Sequence, residues 1–104
     1  MSKMTIEHRF TIPRDDAKAR LVALGEYLTN RHKIIVTWDG DKASVKGKYM
    51  VVTVEGSMIV GDDRVTFDGK DPGFLWRSKA KDYITKKLQT YLDPAFPFEN
   101  LPRR

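Results

Sequence analysis

The sequence predicts an α+β fold in the order β-α-β4-α: one curved antiparallel sheet with two helices packed on the same face. Three observations carry this. An alternating stretch opens the chain, and two stretches of helical period follow, one early and one late. Between those two, short β-branched runs are separated by Gly/Asp turns, and connections that short force antiparallel neighbours.

In the first segment Met4, Ile6, His8, Phe10 and Ile12 share one face, and Thr5, Glu7, Arg9 and Thr11 share the other. That period of two is a half-buried strand. Pro13 ends it and suits a helix start, where its missing N–H costs nothing. Asp15 and Asp16 then place negative charge at the electropositive end of the helix. From Arg14 to Arg31 the spacing becomes helical, with Ala17, Leu21, Leu24 and Leu28 on one face and Val22 and Tyr27 beside them. Arg31, His32 and Lys33 complement the dipole at the far end. Gly25 either weakens this helix or lets it approach the sheet closely.

Lys33 to Trp38 reads as the next strand, closed by the turn Asp39-Gly40-Asp41. Lys42 to Lys46 is a short strand with Ala43 and Val45 on one face, and Gly47-Lys48 is expected to turn. Tyr49 to Val60 is the longest strand, with Met50, Val52, Val54, Met58 and Val60 aligned, and Gly56 predicts a bulge or bend in it. Gly61-Asp62-Asp63 turns into Arg64 to Asp68, and the cluster from Gly69 to Gly73 breaks the chain. From Phe74 to Leu92 a second helix carries Trp76, Ala80, Ile84, Leu88 and Tyr91 on one face. Its remaining surface is basic, with Arg77, Lys79, Lys81, Lys86 and Lys87 against Asp82. The chain thus divides into a single α+β domain over residues 1–93 and an extended tail over 94–104. The tail has three prolines around Phe96, Phe98 and Leu101, and reads as a strap or docking motif. The arrangement resembles the TATA-binding-protein-like fold or a short helix-grip domain.

Composition narrows the function classes. A chain of 104 residues holds one core. With 40% hydrophobic and 32% charged residues it is globular rather than disordered. It has no cysteine, which removes disulfides, thiolate metal sites and cysteine nucleophiles and fits a reducing cytoplasm. The N-terminal residues do not resemble a signal peptide, and no apolar run reaches the roughly 18–20 residues of a membrane span. A cytoplasmic, soluble protein is therefore expected. The net charge of +5 favours acidic partners.

Catalytic groups are not evident. His8 lacks an orienting carboxylate, since Glu7 points to the opposite face, so it reads as a structural histidine. His32 reads as a helix cap. The pairs Asp15/Asp16, Asp39/Asp41 and Asp62/Asp63 are explained by helix-start charge and turn chemistry. The Asp39 turn lacks the length and closing glutamate of a calcium loop, and the glycines match no nucleotide-binding fingerprint. No catalytic residue, metal or cofactor is assigned, and a non-enzymatic binding or accessory role is expected.

Three binding readings remain. Arg77, Lys79, Lys81, Lys86 and Lys87 are candidates for attachment to an anionic surface, against the plainer reading of a solvated face. His8, Trp38, Met50, Met58, Phe67 and Trp76 are candidates to line a cavity for an apolar or acyl ligand. A filled core is the favoured alternative in so short a domain. Arg9, Lys46, Lys48 and Tyr49 offer a thin version of the basic and aromatic interleaving used for nucleic acid, which is not favoured.

A family resemblance rests on several segments in order. These are Ile6-Glu7-His8, Ala17-Lys18-Ala19-Arg20 through Leu28, Trp38-Asp39-Gly40-Asp41, Gly56, Val60-Gly61-Asp62-Asp63-Arg64-Val65, and a basic helix closing on Tyr91-Leu92-Asp93. Over about residues 4–93 the chain resembles the polyhydroxyalkanoic acid system family of small bacterial proteins associated with polyester storage granules. The resemblance implies a bacterial cytoplasmic protein of polyhydroxyalkanoate storage, with the granule surface or its proteins as partners and no established enzymatic activity. It carries over no catalytic or ligand residue.

Overall fold

A computed structural model describes residues 3–49 and 52–104. The elements follow as β1 (Lys3–Arg9), α1 (Arg14–His32), β2 (Ile35–Asp39), β3 (Lys42–Tyr49), β4 (Val52–Val60), β5 (Arg64–Lys70) and α2 (Phe74–Tyr91), then a 3-10 turn (Phe98–Asn100). The strands form one open antiparallel sheet in the order β1-β5-β4-β3-β2. This is the predicted α+β class and element order.

Register explains why one face is apolar. Ile6, Phe67, Met58, Ala43 and Trp38 are successive cross-strand partners, so their side chains stand in one row on the same side. The neighbouring row on that side is Met4, Gly69, Gly56, Val45 and Val36. Both helices cover this face. Ala17, Leu21 and Leu24 of α1 and Leu88 and Tyr91 of α2 join the strand residues in one core. Helix α1 lies over β2 and reaches β4, whereas α2 lies over β1. At Gly25 a side chain would meet Val36 Cγ1 at 3.1 Å, so this glycine sets the close approach of α1 to the sheet.

Several boundaries differ from expectation. Lys33 does not begin a strand. It ends α1 in the left-handed conformation (φ 60), donating its N–H to the Thr29 carbonyl at 2.9 Å. Gly47-Lys48 does not turn, because β3 runs through it to Tyr49 with Gly47 opposite Val54. The glycine supplies clearance instead, since a Cβ there would lie 3.0 Å from Ile34 Cα. Gly56 makes no bulge, for pairing on both sides of β4 is continuous through it. It faces Gly69 across the ladder, and a Cβ on it would lie 2.5 Å from the Asp68 carbonyl oxygen. Gly69-Lys70, expected among the breakers, extends β5 by pairing with Met4 and Lys3. The Asp39 turn does behave as predicted: Gly40, the first of two loop residues, has φ 61.

The predicted apolar face of α2 is present but graded. Leu88 and Tyr91 are buried, Trp76, Ala80 and Ile84 only partly so, and Phe74 and Leu75 are 79% and 75% exposed. The C-terminal end is tied down from several sides. Arg20 Nη1 donates to the carbonyls of Tyr91 (3.2 Å) and Asp93 (3.1 Å). The Tyr91 hydroxyl donates to the Pro102 carbonyl, Asn30 Nδ2 donates to that of Arg103 at 2.8 Å, and Leu101 is buried in the core. Residues after Asp93 therefore lie along α1. Among the described residues, no helix is long and apolar enough to cross a membrane.

Candidate ligand cavity

The half-covered state of α2 leaves space beneath it. A cavity of about 420 Å³ lies between the two helices and the sheet, within the roughly 300–1,000 Å³ typical of small-molecule pockets. Val36, Val45, Val54, Met58 and Phe67 form its floor, Leu24, Gly25 and Leu28 one wall, and Trp76, Ala80, Ile84 and Leu88 its roof. Glycines help to open it. Phe67 lies over Gly69 and Gly56, where added Cβ atoms would come within 2.7 and 3.1 Å of its ring. The expectation of a filled core is thereby replaced: two helices fixed by other contacts leave the middle of the apolar face open.

The polar groups of the lining are Tyr49, Tyr83, Lys79 and Lys87, and no carboxylate is among the described lining residues. Tyr83 shares a hydrogen bond of 3.1 Å with His32 Nε2. The His32 ring meets Tyr49 edge-on at 4.8 Å and Tyr27 at 6.0 Å. Lys87 Nζ sits 4.4 Å from the Tyr27 ring centre and 5.6 Å from that of Tyr83, and Lys79 Nζ lies 5.6 Å from that of Trp76. Burial, aided by Tyr27 and Tyr49, pushes the Tyr83 phenol up to about 12. Burial first, then the charges of Arg31 and Lys87, holds His32 below its usual value. At neutral pH both groups are therefore uncharged. His32 is thus part of an aromatic cluster beside the cavity, beyond any role at the helix end.

Of the residues expected to line a cavity, Met58, Phe67 and Trp76 do so. Met50 lies outside the described residues. His8 and Trp38 do not line it, although both share the inner face. His8 stands opposite Val65 at the far end of β1, its pKa lowered by burial. Trp38 lies in the edge strand β2 beneath Lys18, whose Nζ is 5.7 Å from its ring centre. Tyr49, Tyr83 and Lys87 are lining residues the sequence reading missed. The helix carries a second stripe, Trp76-Ala80-Tyr83-Lys87, at i, i+4, i+7 and i+11, which adjoins the apolar one. Tyr49 continues the Ala43-Val45 parity once Gly47 is kept in the strand.

The basic residues of α2 do not form one face. At about 100° per residue, Arg77 and Lys81 fall on one flank and Lys79, Lys86 and Lys87 on the other. Arg77 is held by Asp71 at 2.6 Å, drawing the Asp71 carboxyl below the usual range, and Lys86 pairs with Asp82 at 3.2 Å. The nucleic-acid arrangement is likewise not assembled. Tyr49 faces the cavity, while β5 and β4 separate Arg9 on β1 from Lys46 and Lys48 on β3. The acidic turns are tied to α1, since Arg14 contacts both Asp41 and Asp62 and Lys18 Nζ reaches Asp41 at 3.9 Å. Among the described residues no group of three or more histidine or acidic side chains could hold a metal ion.

No curated protein and no solved structure matches the chain significantly. A family model described as "Putative polyhydroxyalkanoic acid system protein" matches residues 4–96. That span takes in both helices and all five strands apart from Lys3, the first residue of β1, so the chain belongs to the polyhydroxyalkanoic acid system family.

Proposed function

We propose that this chain is a non-enzymatic binding module of the polyhydroxyalkanoic acid system, and that its cavity takes up an aliphatic or acyl chain. The observation that supports this is the cavity itself, about 420 Å³ with a lining almost wholly of carbon. Each unit of a polyester of hydroxyalkanoic acids joins an ester to an aliphatic portion, and the aliphatic portion matches such a lining. Association of an apolar chain with such a lining is favoured by roughly 25 cal/mol for each Å² removed from water. Native mass spectrometry of protein purified without detergent from its host tests the reading. A co-purifying apolar ligand, lost in an Ala80→Phe variant that fills the roof, is the expected result. A ligand-free wild type that also fails to bind added aliphatic chains would overturn it.

A second reading is favoured by Phe74 and Leu75, which stand exposed at the start of α2 near Arg77, Lys79 and Lys81. Two apolar side chains beside cations suit attachment to an apolar surface carrying negative charge, such as a storage granule in the cytoplasm. Co-sedimentation with isolated granules at low and high salt checks it. Attachment should weaken in a Phe74→Ser/Leu75→Ser variant and should respond to screening. Equal absence from the granule fraction at both salts would sink the idea.

A further inference from the structure

We propose that the ligand of the cavity is an amphipathic acid, its aliphatic chain inside and its carboxylate at the rim formed by Lys79, Tyr83 and Lys87. The inference rests on the cavity reading and adds the chemistry of the head group. Three observations carry it.

The first is the sign of the lining. Its polar side chains are two ammonium groups and two phenols, with no carboxylate among the described lining residues. Every one of these can donate a hydrogen bond to an anion. The second is the contrast along α2. Of the three basic residues of α2 away from the cavity, Arg77 and Lys86 are paired with Asp71 and Asp82, while the solvent-exposed Lys81 makes neither an ion pair nor a ring contact among the described residues. Lys79 and Lys87 have no carboxylate within ion-pairing distance among the described residues, and rest instead against the rings of Trp76, Tyr27 and Tyr83. The third is spacing. Lys79, Tyr83 and Lys87 are at i, i+4 and i+8, about 6 Å apart along the helix per step. A head group beside Tyr83 meets the phenol and one ammonium at a time, which suits a single negative charge. His32 Nε2 lies 3.1 Å from the Tyr83 hydroxyl, and in its Nε2–H tautomer the imidazole donates to the phenol oxygen and leaves the single phenol proton for a ligand.

Volume sets the chain. A methylene is about the size of a water, whose share of liquid volume is roughly 30 Å³. A cavity of about 420 Å³ therefore holds on the order of ten carbons.

The chain has two tryptophans, and Trp76 lines the cavity whereas Trp38 does not. A Trp38→Phe variant, with its fold checked by circular dichroism, therefore leaves one fluorescent reporter in the cavity. Titration with decanoate, decanol, methyl decanoate and decyl phosphate tests the head group. Decanoate should bind at least about tenfold tighter than the alcohol or ester, as charge-assisted hydrogen bonds allow. A Lys79→Gln/Lys87→Gln variant should lose that preference while keeping its affinity for decanol. Equal binding of acid, alcohol and ester overturns the acidic head group but leaves the cavity reading intact. Tighter binding of the phosphate than of the carboxylate overturns the choice of carboxylate. Binding of none of the four removes the cavity reading itself.

Discussion

Arg20 is a charged residue inside the core, 6% exposed, and it does for α2 what a capping residue would do. Its Nη1 satisfies the carbonyls of Tyr91 and Asp93, and its Nε lies 3.5 Å from Asp16 Oδ1. Helix-end carbonyls without intrahelical partners need such donors. Arg20→Met should therefore destabilise the fold by about 2–4 kcal/mol in urea denaturation. Arg20→Lys should not fully rescue it, because one ammonium cannot reach the two carbonyls and Asp16 Oδ1 together as Nη1 and Nε do. A loss under about 0.5 kcal/mol would mean that water replaces the guanidinium. Lys33 offers the opposite sign. A side chain in left-handed backbone is strained, so Lys33→Gly should stabilise the protein by about 0.5–1 kcal/mol. Two phenols give a pH signature. Burial raises Tyr83 and Tyr91 to about 12 from 10.0, so the stability they contribute is complete below pH 10.0 and lost as pH climbs towards 12. Their tyrosinate absorbance should appear late in an alkaline titration, and Tyr83→Phe should remove part of that late signal. None of these roles was legible in sequence. Arg20 looks like a solvated helix residue until a segment 71 residues away is laid beside it.

At the scale of elements, α2 is a helix of two halves. Leu88→Ala, deleting a fully buried side chain, should cost about 2–4 kcal/mol. Leu75→Ser, at a position 75% exposed, should stay within about 0.5 kcal/mol. Amide exchange should show the same gradient, faster in the turns after Phe74 than in those before Tyr91. The period of the apolar positions placed both helices within two residues of their ends, because covering a sheet face demands that spacing. The strands were harder to delimit, and the errors gathered at glycine. The same letter serves a turn at Gly40, clearance for Ile34 at Gly47 and room for a ring at Gly69, and only the facing atoms distinguish them. Gly69→Ala would press on Phe67, a floor residue. It should weaken decanoate binding as well as stability, whereas Gly40→Ala, with open space around it but φ 61, should affect stability alone.

For the whole molecule, fold class and family were readable because both reside in patterns spread along the chain. The cavity was not. Its volume is a separation between three surfaces, and each surface alone looks like ordinary core. Of the candidate lining, Met58, Phe67 and Trp76 border this space, where strand parity or helical phase pointed at the middle of the sheet. His8 and Trp38 share that parity but lie elsewhere along the sheet.

Helix α2 is held by Arg20, Leu88, Tyr91 and the chain after Asp93, while its other end begins at Gly73 with φ 98 and carries the exposed Phe74 and Leu75. Mechanically this resembles a cantilever, rooted in the core at one end and tied at the other by the Arg77–Asp71 pair with little buried surface. On the proposed cavity function, a bulkier guest is expected to lift the tip through a small rotation without disturbing the sheet. Affinity across a homologous series of acids should accordingly change gradually with chain length. A sharp optimum at one length, measured through Trp76, would show the beam to be rigid.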